Sequence, residues 1–310
     1  MGLQHMAAGL ARDIWQSLGN RAKAVLSVAC IASCALFLFA GRWFGIPRHP
    51  GYEVSLTLQP APATTLALVT VMVLLAAAVG TVIAGAIRFD AGLFAAAVGL
   101  ATLSCRGGPI RYVTQAAPGH GVFLALAVEL GLLGLMLGAA WLGLWLLFRG
   151  GHLAGDEIKD GLKDQPHSLA DRATALALQA AGTAMLVILL ARTDDKKQVL
   201  SAVAVASLLS SLLAYSIVPA RPSVCFWAGP IIAGVVGYVA AYLSWGSVDP
   251  VTWKSGQGGG LFMPLARPLP LDYASLGTAG AILGYWTSRQ WQRAKELETE
   301  AIQATAAPTH

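Results

Sequence analysis

Among the residues able to do chemistry, one stands in a setting that needs explaining. Glu129 is the single charged residue within Gly121–Phe148, GVFLALAVELGLLGLMLGAAWLGLWLLF, the longest apolar run of the chain. An acid held in hydrocarbon is expensive; insertion scales put a central Asp, Lys or Arg at roughly 2.5–3.5 kcal/mol, so such a group is either protonated, paired or in use. Two readings follow. Glu129 handles a proton, ion or solute near the middle of a membrane, or it is a protonated or hydrogen-bonded acid that locks helices together. Polar company inside other apolar runs is sparse. Gln179 and Thr183 share one helical face at i,i+4, and Ser207, Ser210 and Ser211 group on one side of another run. The candidate intramembrane polar site is therefore Glu129, Gln179, Thr183, Ser207 and Ser211, with Gln179 and Thr183 expected to face the acid. The serine face suits either the border of an aqueous path or a close helix contact with local backbone hydrogen bonds.

Nothing else in the chain spells a reaction. There is no GxSxG, HExxH, Walker or dinucleotide fingerprint and no pair of carboxylates inside the apolar runs, so no catalytic residues are assigned. The six histidines all lie in tails or loops, and Cys30, Cys34, Cys105 and Cys225 lack CxxC spacing, which leaves neither a metal site, a disulfide framework nor a cofactor to expect. The glycine-containing turn around Arg106–Gly108 and Arg111 could hold an anion on its backbone N–H groups, but it lacks the strand–loop–helix context of a phosphate loop. The acids and bases between Arg149 and Arg172 read as a solvated connector.

Composition limits the class of protein. The chain has 310 residues, of which 56% are hydrophobic and 12% charged. Soluble domains carry about 25% charged residues, so this charge cannot clothe a water-exposed surface of that size. The apolar residues come in long blocks, as spans in lipid require. A net charge of +5 suits contact with anionic headgroups and carries no nucleic-acid footprint.

The elements that must position Glu129 follow from the blocks. The expected fold is all-α, a polytopic transmembrane helix bundle of about eight spans, near 24–40, 64–87, 89–105, 121–148, 173–191, 199–218, 225–245 and 273–288. Residues 1–23 form an amphipathic N-terminal arm, and 289–310 a charged tail with a short helix over Gln290–Gln303. The first span reads as a transmembrane helix rather than a cleaved signal or a lipoprotein site, because the residues after Cys34 stay apolar. Span 89–105 is barely long enough to cross and could instead be re-entrant. Two longer Pro/Gly-containing extramembrane loops interrupt the bundle. In the first, Gly41–Ala63, Tyr52, Val54, Leu56 and Leu58 alternate with Glu53, Ser55, Thr57 and Gln59, the period of a short strand or an extended lid. The second, Gly246–Asp272, runs from Gly258–Gly260 to Pro264, Pro268 and Pro270. Pro230 implies a kink or a late start in the seventh span.

Within the fourth span, Ala127, Gly131, Gly134 and Gly138 make a small-residue stripe continued by Trp141 and Trp145. Glu129 projects about 160° away from Gly131 at 100° per residue. With neither face suited to lipid, this helix is expected at the bundle centre.

Eight spans put both termini on one side, and a slight excess of basic residues on that side favours the cytoplasm, with a bacterial inner membrane as the expected location. The expected partners are the lipid bilayer and either other membrane subunits or a second copy of the chain. A transporter or permease for a small solute or ion is the favoured role, since nearly all the mass lies in the apolar runs. The alternative is a non-catalytic structural or assembly subunit of a membrane complex.

Overall fold

The computed structural model describes residues 20–43, 55–57, 61–85, 88, 90–112, 119, 121–149, 168–220, 223–244 and 263–306. Most of the expected N-terminal arm, the connector at 150–167, the glycine run Gly258–Gly260 and the last four residues lie outside them. The described residues are helical and contain no strand. The principal helices are α1 (Asn20–Trp43), α2 (Pro62–Ala84), α3 (Ala91–Arg106), α4 (Gly121–Arg149), α5 (Leu169–Leu190), α6 (Lys196–Ile217) and α7 (Val224–Ser244). Two short pieces, α8 (Met263–Ala266) and α9 (Pro270–Asp272), lead through a π-helical turn (Tyr273–Gly277) into α10 (Thr278–Ala306).

Six of these helices, α1, α2, α4, α5, α6 and α7, are long and apolar enough to cross a membrane, the build of a multi-pass integral membrane protein. α3 is apolar but shorter. Helix starts use ordinary chemistry. Ser168 and Asp171 form a reciprocal capping box on α5, and Asp195 accepts from the first N–H groups of α6. Pro62 sits at the first position of α2, where its missing N–H costs nothing. Pro230 lies inside α7, whose helix begins at Val224, so the helix is not a late starter.

The helices close a ring. α1, α2 and α3 pack on one another, α10 joins α3 to α6, α6 packs on α5, α5 on α7, α7 on α4, and α4 returns to α2. Inside the ring sits the π turn, which touches α3, α4, α6, α7 and α10. Residues Leu269–Ser275 are all buried, although the sequence places the first four in a loop.

Two expectations change here. α4 is not central. Its inner line, including Phe123, Leu126, Leu130, Leu133 and Leu137, is buried, but Leu124, Val128, Leu135 and Leu142 are exposed. Of its glycines, Gly134 alone meets a close neighbour, Ile231; an added Cβ at Gly131 would meet nothing. Leucine, not glycine, makes the packing face. The second change concerns the C-terminal segment. Gln290–Gln303 is not a separate short helix but the continuation of α10, which runs unbroken to Ala306. No helix breaker separates the apolar from the charged part, so the i→i+4 ladder continues past Arg289.

Backbones approach closely between α6 and α10, as they do between α2 and α3 at Gly80 and Gly92. A Cβ added at Gly280 would lie 2.5 Å from the Ala204 carbonyl oxygen, and one at Gly284 would lie 2.4 Å from that of Leu208 and 2.8 Å from Ser211 Cβ. These two glycines let backbones meet that any side chain would separate.

Candidate functional site

Glu129 lies on the third turn of α4, about 12 Å along the axis from Gly121 at 1.5 Å per residue. Its side chain is buried and turned inward. Its partners come from neither α5 nor α6 but from the α1–α2 connection. Oε2 accepts from the Ser55 hydroxyl, from the Thr57 backbone N–H at 3.1 Å and from the Thr57 hydroxyl at 2.9 Å. Oε1 is buried with no partner among the described residues. The intervening Leu56 is itself buried, 3% exposed, and anchors the segment among the helices. Ser55–Thr57 forms a bend and turn rather than the expected strand, yet the period-two alternation still delivers both hydroxyls to one side. Glu53 and the rest of that stretch lie outside the described residues. Of the stretch expected as a strand or lid only Ser55–Thr57 is described, and these three residues cover the acid.

The other candidates form a separate cluster. Gln179 Nε2 donates to the Ser207 carbonyl at 3.1 Å and to Thr183 Oγ1 at 3.5 Å, and its Cγ fills the space over Gly229, where a Cβ would come within 2.3 Å. One amide thus stitches α5, α6 and α7. Ser207 faces the end of the π turn at Gly277 and Ser211 faces α10 at Gly284, and Ser210 fits against Gly182 of α5 while its hydroxyl donates to the Ala206 carbonyl at 2.7 Å. Gln179, Thr183, Ser207 and Ser211 are completely buried in helix contacts. The serine face is a packing surface, and Gln179 and Thr183 are not hydrogen-bond partners of Glu129.

Sequence reasoning missed a second buried acid. Asp272, taken as the last residue of a loop, has no exposed surface. Its Oδ1 accepts from Lys196 Nζ at 2.6 Å and from the Ser104 hydroxyl at 2.5 Å, and its Oδ2 accepts from the Leu269 backbone N–H at 2.8 Å. Nearby, Arg267 pairs with Asp194 at 3.3 Å and donates to the Ala191 carbonyl at 2.6 Å. Two tyrosines hold the approach to α9. Tyr238 donates to the Pro268 carbonyl and Tyr273 to that of Leu265 at 2.9 Å. The available signal was an acid inside an apolar flank, Leu269-Pro270-Leu271-Asp272, which a solvated loop does not need.

At the opposite end of α3, Asp90 accepts from the indole N–H of Trp286 at 2.9 Å, with Oδ2 unpartnered and the Arg88 guanidinium over the Trp286 ring at 5.2 Å. Burial pushes the Asp90 carboxyl above its ordinary value, against the pull of Arg88 and the indole; burial likewise lowers Arg88 from its own. α3 and the π turn–α10 segment therefore run antiparallel with a hydrogen bond at each end, Ser104–Asp272 and Asp90–Trp286.

Among the described residues no three His, Cys, Asp or Glu side chains gather as a metal site would require. A cavity between α1 and α2, lined by apolar side chains such as Leu36, Phe39 and Val79 with Ser33 as its one polar residue, shares no residue with the buried acids. No protein-family model matches the sequence, and neither a curated protein nor a solved structure is significantly similar to it.

Proposed function

We propose that this membrane protein is a transporter or permease for a small solute or ion, and that Glu129 beneath the Ser55–Thr57 segment is its working site. The observation that carries the reading is the kind of cover the acid has. Its three donors come from a connection between helices, so Glu129 can be uncovered by moving a loop while the helix packing stays intact. Its Oε1, without a partner among the described residues, leaves capacity for a ligand beneath that cover.

The reading includes eight crossings. The six long helices are joined by α3 and by the π turn–α10 segment, which pair antiparallel over their length. Both termini then lie on one side, the cytoplasmic side of a bacterial inner membrane by the basic-residue bias. The lid and α9 face the other side, and the exposed apolar faces of α1, α4 and α5 meet lipid.

The test is solute- and ion-gradient current measurement on full-length protein in proteoliposomes, scanned across sodium, potassium, amino acids, sugars, nucleosides and monocarboxylates. At least one gradient should drive a current that Glu129→Gln abolishes. A silent scan, together with purification at fixed stoichiometry with another membrane protein, would instead establish the assembly-subunit role.

A further inference from the structure

We propose that Glu129 binds a single proton, on Oε1, and exchanges it with water on the lid side. The proposal deepens the transport reading and rests on it for the coupling role, while the protonation itself is measurable without transport.

Charge balance selects a monovalent cation. The buried Asp272 is matched by Lys196, whereas Glu129 meets no cation among the described residues and stands there as one uncompensated negative charge. A divalent ion would replace one buried charge by another of opposite sign. The donor set then selects a proton over sodium. A metal ion needs lone pairs converging on it. Here Oε2 is met by three hydrogens, those of the Ser55 hydroxyl, the Thr57 hydroxyl and the Thr57 N–H, and the last can only donate.

Protonation fits the arrangement without rebuilding it. A proton on Oε1 leaves Oε2 as a carbonyl-type acceptor, so all three donors keep their partner. An O–H without an acceptor costs far less than an uncompensated charge. In the reverse step the Oε1–H bond breaks, its electron pair stays on the carboxylate, and the proton passes to a water molecule as hydronium. That water must reach Oε1, so release requires the Ser55–Thr57 cover to lift. The proton is thereby tied to the position of the lid.

The ionisable groups on elements packed against α4 are few. α7 contributes Cys225, Tyr238 and Tyr242, of which Tyr238 lies within electrostatic reach of Glu129; the π turn contributes Tyr273; α9 contributes Asp272, held by Lys196 of α6; and α3 ends in Cys105 and Arg106, both exposed. α2 carries none. No other carboxylate among them is free to share or mask the titration.

The experiment is an infrared pH titration of the full chain in lipid nanodiscs, from about pH 3 to about pH 9, a range that spans ordinary and strongly shifted carboxyls. The expected result is a protonated-carboxyl band that disappears with rising pH as a one-proton transition in the difference between the wild-type and Glu129→Gln spectra, where the band of the raised Asp90 carboxyl cancels. A measurement needing no variant runs beside it. Dicyclohexylcarbodiimide adds across a protonated carboxyl with no leaving group, and the adduct at Glu129, read by peptide mass spectrometry, should fall about tenfold per pH unit above the midpoint. Absence of the band at the acid end, a band or adduct indifferent to pH, or suppression of the adduct by sodium at fixed pH would each overturn the proposal. An intact titration with a silent flux scan would overturn the transport role alone.

Discussion

Glu129 and Asp272 are two carboxylates buried in one bundle, and they are kept in opposite ways. Asp272 has a full cation, a hydroxyl and a backbone N–H, divided over both its oxygens, and these come from α6, α3 and its own turn. Among the described residues Glu129 meets only neutral donors, the three hydrogen bonds of Ser55 and Thr57 falling on one oxygen, from one short stretch of loop. A buried charge with a matching charge and filled acceptors is fixed in one state; removing a partner is penalised heavily. An acid with neutral donors and one bare oxygen has two accessible protonation states. The first arrangement builds the fold, and the second can be used by it.

The largest test of that difference is isosteric neutralisation of the paired acid. Asp272→Asn leaves Lys196 beside a neutral amide and should cost about 3–5 kcal/mol, read as a lowered unfolding midpoint in detergent or nanodiscs. Adding Lys196→Met should recover much of that loss, because the stranded charge is then gone. A smaller effect is expected from Ser104→Ala, which removes one charge-assisted bond to Asp272 and should cost about 1.5–3 kcal/mol. Glu129→Gln should change stability by less than about 1 kcal/mol, since the amide oxygen still accepts from Ser55 and Thr57. Should Glu129→Gln cost as much as Asp272→Asn, the two acids would be equivalent locks and the transport site would be refuted.

The weakest expected effect concerns a third acid, Asp90, outside the long spans. Its folded-state value is raised above the ordinary carboxylate value of about 4. Between those values the folded chain holds a proton that the unfolded chain has released. Stability from this group is therefore full below about pH 4 and is lost as pH rises through the raised value. Asp90→Asn can still accept from Trp286 and should flatten that decline. Melting temperatures of the two proteins across the acid range check it; identical slopes would exclude the effect.

Much of the helical layout could be read from the apolar blocks, because helices long enough to cross a membrane are set by local hydrophobicity and length. The periodicity at 52–58 placed Ser55 and Thr57 on one side even though the described part, Ser55–Thr57, is a bend and turn. The unusual acid at 129 was visible because it interrupts its run. The identity of its partners was not, since Ser55 and Thr57 lie 74 and 72 positions away and sequence spacing orders only neighbours on the same helix. α4 was misplaced at the centre for a related reason. A small-residue stripe shows that close packing is possible, but whether another helix approaches depends on the rest of the ring.

By itself, then, the sequence determined a multi-pass helical protein, six of its long helices and the presence of one acid in an apolar run, since these depend on nearest neighbours along the chain. Only the tertiary structure decided what meets that acid, that Asp272 is buried with Lys196 and Ser104, and that α3 lies against the start of the last helix rather than at an edge. Those outcomes depend on residues separated by 72 to 196 positions being brought within hydrogen-bond distance. Whether a carboxylate is paired, covered or bare is a property of that closure and of no single segment.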